Sequence, residues 1–153
     1  VSTVTTAIGE SRTSEGATMQ GATMHEVFDV AAGRERLAEL QDETTTAAWR
    51  ATVDAAAPGF DEWIVGAVFG GTYQRDGLTP RDRQLLIIGA LTALGGVDPQ
   101  LSGHLATSVR IGMTRTELAE ALVHLVPYVG LPRVMAALRL LPEAATGVDA
   151  DTR

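Results

Sequence analysis

The sequence predicts an all-α protein, a single-domain bundle of six to seven helices. Two observations predict it. Apolar side chains return every three or four positions through the middle of the chain, and no stretch alternates apolar with polar between turn residues as a strand would. Helix boundaries are also spelled out in the residues. Thr79-Pro80-Arg81-Asp82 and Thr114-Arg115-Thr116-Glu117 read as starts, and Gly95-Gly96 and Gly112 as stops.

The elements follow in order. Residues 1–27 are poor in large apolar side chains and rich in Ser, Thr, Gly and Ala, and read as a flexible N-terminal arm. The helical domain is expected over residues 28–147, with a C-terminal tail at 148–153. A short helix is expected from Gly33 to Leu40. A second runs from about Thr45 to Ala56, with Trp49, Val53 and Ala56 on one stripe. Pro58 suits the first turn of a third, which carries Phe60, Trp63, Ile64, Ala67 and Val68.

The boundary at Thr79 is sharper: an N-cap, a proline at the first helical position and an acid at the third. The helix it opens, to about Leu94, is apolar nearly all round, through Leu85, Leu86, Ile87, Ile88, Ala90 and Leu91. Such a helix belongs in the centre of a bundle or at a subunit interface. Asp98-Pro99 is expected to open the next helix by the same device, with Leu101, Leu105, Ser108 and Val109 as its buried stripe. Thr114 and Glu117 form a capping box for the helix that carries His124, and Pro132 opens a last helix to about Leu141.

Composition excludes several chemistries. The chain has 153 residues and no cysteine, so disulfides, thiolate metal sites and thiol peroxidase chemistry are ruled out. All twelve basic residues are arginine, which removes Schiff-base catalysis through lysine. A net charge of −7 with no basic stripe argues against nucleic acid. No apolar run is long enough to span a membrane, and a cytoplasmic location is the expectation. The three histidines are not spaced as metal ligands, and His25 falls in the arm.

Polar residues on the apolar helices are the candidates for chemistry, because interior polar groups cost free energy unless bonded or used. His104 stands beside its helix's buried stripe. His124 and Tyr128 are four apart and share a helical face. Pro127 between them either bends that helix or marks its frayed end. Arg81 and Arg83 sit in a first helical turn, where the dipole disfavours a cation, so Asp76 or Asp82 is expected to compensate. Trp49 and Trp63 read as core or pocket wall.

The segments Tyr73-x-Arg75-x-Gly77-Leu78, Arg81-x-Arg83-x-Leu85, His104, Arg110-x-Gly112-Met113-Thr114, Glu117 and His124-x-x-x-Tyr128-x-Gly130-x-Pro132, in this order, resemble the carboxymuconolactone decarboxylase family, the cysteine-free branch of the alkylhydroperoxidase-like superfamily. The resemblance implies a lyase without metal or organic cofactor, a small acidic substrate, and a trimer or hexamer with its site between subunits. It places His104 at the family's characteristic histidine and His124 at a position that is often polar. On the residues' own chemistry His104, His124 and Tyr128 are cast as catalytic, and Arg83, with its neighbour Gln84, either clamps a substrate carboxylate or belongs to a surface ion pair. Thiol-dependent relatives are expected to have a glutamate near Gln84, and an amide cannot relay a proton as that glutamate would. Asp76, Ile111 and Pro127 depart from the family pattern, which also admits a divergent decarboxylase, cyclase or isomerase of a biosynthetic pathway. A non-catalytic oligomer that binds small acids is the alternative of another class.

Overall fold

The computed structural model describes residues 28–142, so the expected arm and tail, and His25, lie outside the described residues. Eight α-helices occur in this span: α1 Val30–Leu40, α2 Glu43–Ala56, α3 Phe60–Ile64, α4 Pro80–Leu94, α5 Asp98–Arg110, α6 Arg115–His124, α7 Val126–Val129 and α8 Leu131–Leu138. A π-turn, Val65–Phe69, continues α3, and a 3₁₀ turn, Thr72–Gln74, follows it. No strand is present among the described residues. The fold is all-α, with one short helix more than the upper expectation. The extra element is α7: the ladder of α6 stops at His124, and Pro127 lies in the first turn of a separate one-turn helix.

The main core lies between α4, α5, α6 and α8. Ile88, Leu101, Leu105, Met113, Leu118, Leu122, Val134 and Ala137 are all buried in it. Two capping boxes set its geometry. Thr79 accepts from the Asp82 amide while Asp82 accepts from the Thr79 amide, and Thr114 and Glu117 repeat the exchange. Each exchange holds its acid below the ordinary carboxylate range. The chief cause is the Thr79 hydroxyl for Asp82 and the Thr114 amide for Glu117. Gly95 and Gly112 end their helices with φ of +67° and +97°.

The other half of the fold turns on a close approach. α1 packs against the π-turn with almost no space between backbones. A Cβ on Gly33 would lie 2.2 Å from the Val65 carbonyl oxygen, and one on Gly70 would lie 1.7 Å from that of Asp29. The Asp29 carbonyl also accepts from the Gly33 amide at 2.9 Å, and the Asp29 amide donates to Gly66 at 3.3 Å. This joint fixes where the chain enters the 3₁₀ turn that carries Tyr73.

Several expectations are corrected. Pro58 precedes the α3 N-cap Gly59 instead of sitting in the helix, because Gly59 takes a φ of +81° to turn the chain. The α5 N-cap is Val97, with no side-chain bond, so Asp98 is the first helical residue. Val109 is exposed and Thr107 takes its place on the buried face of α5. The apolar α4 is not at odds with expectation, which allowed a bundle centre or a subunit interface: within one copy Gln84, Ile88 and Thr92 face inward, while Leu86 and Leu94 are 61% and 64% exposed. Trp63 stacks on Phe60 at 5.6 Å, and both rings are largely exposed. Trp49 is half-buried and donates to Gln41 at 2.9 Å.

Candidate functional site

The first turn of α4 places two neighbouring side chains in opposite environments. Arg83 points to the loop before the helix. Its guanidinium donates to the Thr72 carbonyl at 3.1 Å and to the Arg75 carbonyl, and it lies over the Tyr73 ring, 5.6 Å from the centroid. Stacking and hydrogen bonding therefore offset the unfavourable helix dipole at this position. Arg81 is paired with Glu117 of α6 at 2.7 Å, and its charge also acts on Asp82 as expected. Asp82 is occupied by its cap.

Arg83 also lines a cavity of about 420 Å³, together with Arg36, Tyr73, Arg75 and Asp76. Three guanidinium groups surround this space in a chain of net charge −7. One of them, Arg36, is paired with Glu39 at 2.5 Å, yet its buried Nε has no hydrogen-bond partner. The cluster suits a small organic anion, because guanidinium donors match carboxylate geometry and local charge concentrates it. Another cavity, about 450 Å³, lies at the far end of α4 beside Leu91, Leu101 and Arg133 and holds none of the candidate residues.

Gln84 turns inward and is 1% exposed. Its Oε1 lies 3.0 Å from His104 Nδ1 on α5, and its Nε2 donates to the Tyr73 hydroxyl at 3.4 Å. A chain of three polar groups thus runs from the cavity wall at Tyr73 into the bundle. Tyr73 packs on Phe69 at 5.3 Å and is buried. Burial pushes its phenol above the ordinary value, with the Arg83 cation and the Gln84 bond acting against the rise. Burial also holds the His104 imidazole below its ordinary value, so the ring is neutral at neutral pH.

His104, Gln84 and Arg83 therefore meet around Tyr73. His124 and Tyr128 form a separate pair, their rings 5.8 Å apart, on the exposed side of α6 and α7, where Tyr128 is 73% exposed. No hydrogen bond or ring contact joins that pair to His104 among the described residues. The site also contains residues to which the sequence assigned no role. Tyr73 and Arg75 stood in the Tyr-x-Arg-x-Gly-Leu segment, which was the available signal. Arg36 lies outside every quoted segment, and its place depends on the α1 joint. Among the described residues no group of three or more metal-ligating side chains stands close enough to hold an ion.

The described residues thus form an all-α bundle with an arginine-lined cavity against a buried Tyr-Gln-His chain. The chain belongs to the carboxymuconolactone decarboxylase family, which it matches over residues 58–143. It is 36% identical over 84 residues to a 4-carboxymuconolactone decarboxylase of Acinetobacter baylyi, covering 55% of this chain and 62% of that protein. It is 37% identical over 73 residues to an uncharacterized 15.0 kDa protein from the nqo9-nqo10 intergenic region of Paracoccus denitrificans, covering 47% of this chain and 54% of that protein. The chain thus spans less than two thirds of the length of each of these curated relatives. The match includes all five residues expected from sequence, together with Tyr73 and Arg75, but not Arg36. No helix among the described residues is long and apolar enough to cross a membrane.

Proposed function

We propose that this chain is a carboxy-lyase that takes a small carboxylated, unsaturated lactone, or a closely related acid, at the cavity walled by Arg36, Arg75 and Arg83. The observation that carries this reading is the arginine cluster set against the buried Tyr73–Gln84–His104 chain. Loss of CO2 leaves an electron pair on carbon. The conjugated lactone carbonyl takes it up as a dienolate, and one proton from solvent is consumed when carbon is reprotonated. The arginines draw and seat the acid, and hydrogen-bond donors aimed at the dienolate oxygen lower the barrier.

Family membership and the named relative favour decarboxylation. Asp76 on the cavity wall favours the divergent reading, a cyclase or isomerase on another acid, because a carboxylate there repels a second substrate charge. Incubation of the purified chain with 4-carboxymuconolactone, followed by CO2 release, separates the two. Decarboxylation should occur and should fall about a hundredfold in His104→Ala, which removes the ring bonded to Gln84 and loosens the geometry of the site. Absence of CO2 from the wild-type chain refutes the decarboxylase reading.

Assembly into a trimer or hexamer belongs to the same proposal. Leu86 and Leu94 of α4, Leu131 and Met135 of α8, and the Tyr128 ring are exposed apolar groups, which support contact with further copies. In such an assembly His124 and Tyr128 are offered to a neighbouring copy, where they join the proton work or position it.

A further inference from the structure

We propose that Tyr73 is the hydroxyl that meets the substrate's developing oxyanion, and that Gln84 is the positioning residue that aims Tyr73 and fixes His104 in one tautomer. The inference rests on the reading of the arginine-lined cavity as the substrate site. It starts from the two unlike ends of an amide. Gln84 Nε2 can only donate and Oε1 can only accept. Nε2 faces the Tyr73 hydroxyl and Oε1 faces His104 Nδ1. With the amide in this orientation, one arrangement of protons satisfies both contacts. Nε2–H points to a lone pair of the tyrosine oxygen, and His104 carries its proton on Nδ1 and gives it to Oε1.

Two consequences follow. The tyrosine oxygen receives a hydrogen bond from Gln84, so its own proton is left for another acceptor, and Tyr73 lines the arginine cavity. A hydroxyl that accepts one bond becomes a stronger donor in the next. The Arg83 cation over the ring adds to that polarisation, and burial keeps the proton on the oxygen. His104, in contrast, has its only ring proton committed to Gln84, with Nε2 bare. In its neutral form it cannot be the oxyanion donor. Its part is to hold Gln84, which is 1% exposed.

The lines of force therefore run from α5 through α4 to the 3₁₀ turn and out at one oxygen. The enolate oxygen of any acid seated by the arginines meets Tyr73. The hydroxyl donates without transferring its proton, and the proton that carbon gains comes from elsewhere.

Tyr73→Phe tests the donor. It keeps the ring on Phe69 and beneath Arg83 and removes one oxygen. With 4-carboxymuconolactone, kcat should fall about a hundredfold, while KM stays within about threefold because the arginines are untouched. Nitrogen NMR of 15N-histidine protein, with His104 assigned through His104→Gln, tests the positioning. The wild-type spectrum should contain a neutral His104 protonated at Nδ1, and Gln84→Met should convert it to a mixture of tautomers. Retention of wild-type kcat by Tyr73→Phe overturns the donor role, and an Nε2–H tautomer in the wild type overturns the hydrogen-bond assignment. A wild-type chain that releases no CO2 but has the Nδ1–H tautomer refutes the decarboxylase reading and leaves the Gln84 arrangement standing.

Discussion

Gly70→Ala should be among the most damaging small substitutions in this protein, although it adds one carbon at ordinary helical dihedrals (φ −83°, ψ −14°). Backbone strain is not the cause. The new Cβ would sit 1.7 Å from the Asp29 carbonyl oxygen, 2.6 Å from its carbon and 2.7 Å from the Gly66 oxygen. Even a tight real contact is more than an ångström longer than the first of these. All three atoms are backbone, so no side chain can turn away, and α1 must move. Overpacking of this kind costs roughly 1–3 kcal/mol. Moving Asp29 also strains its bonds to Gly33 and Gly66, each worth about 1 kcal/mol. The expected loss is about 3–5 kcal/mol, a large part of a typical domain's stability. Gly103→Ala is the control: it lies inside α5 with nothing within 4 Å of the added carbon, and should gain about 0.5–1 kcal/mol from the lower chain entropy of alanine. Urea unfolding at one protein concentration reads both. A Gly70→Ala variant within about 0.5 kcal/mol of wild type refutes the close approach of α1 and the π-turn. So does a loss of equal size in Gly103→Ala.

Stability should fall on acidification in two stages, followed by urea midpoints at successive pH values. His104 resists protonation when folded, so below its ordinary value of 6.5 the unfolded chain gains a proton that the folded chain refuses, and stability drops as pH falls. Asp42, Asp82 and Glu117 have folded values below the ordinary 3.8 to 4.5, so their contribution is full above that range and is lost as pH falls below it through the lower folded values. His104→Gln should remove the first stage alone. Thr114→Ala should cost about 1 kcal/mol through loss of the α6 cap, measured by thermal or urea unfolding. Leu86→Asp should lower the mass found by light scattering while leaving helical circular dichroism unchanged, if the exposed side of α4 faces another copy.

The fold was legible where the rule is local. A threonine with an acid three residues on, or a glycine pair, fixes a helix end from side chains that touch only their own turn, and α4 and α6 begin where the sequence placed them. The start of α5 moved by a residue because no side chain caps it. The π-turn was not legible. Its wider winding accompanies the approach of α1, many residues away, and no periodicity in Val65–Phe69 records that. The candidate site divides in the same way. Arg83, Gln84 and His104 could be picked out as unusual groups on apolar helices. The role of Tyr73 depends on Gly33, Gly70 and Gln84 acting together, and Arg36 reaches the cavity only through the position of α1. The four-residue spacing of His124 and Tyr128 keeps their rings adjacent although they fall on two helices, and their exposure is a property of how α6 and α7 pack.

If the cavity takes an acid as proposed, Arg83 has a consequence for selectivity among ligands. It ties down the Thr72 and Arg75 carbonyls, and the stretch between them is the wall on which Tyr73 and Arg75 stand. An incoming acid that recruits Arg83 competes with the struts of the chamber it enters. Acids that can be gripped through the remaining guanidinium donors find the wall intact. Those that demand both terminal nitrogens would loosen it and displace Tyr73. The chamber can thus discriminate by the angle from which a carboxylate arrives, without any clash of shape.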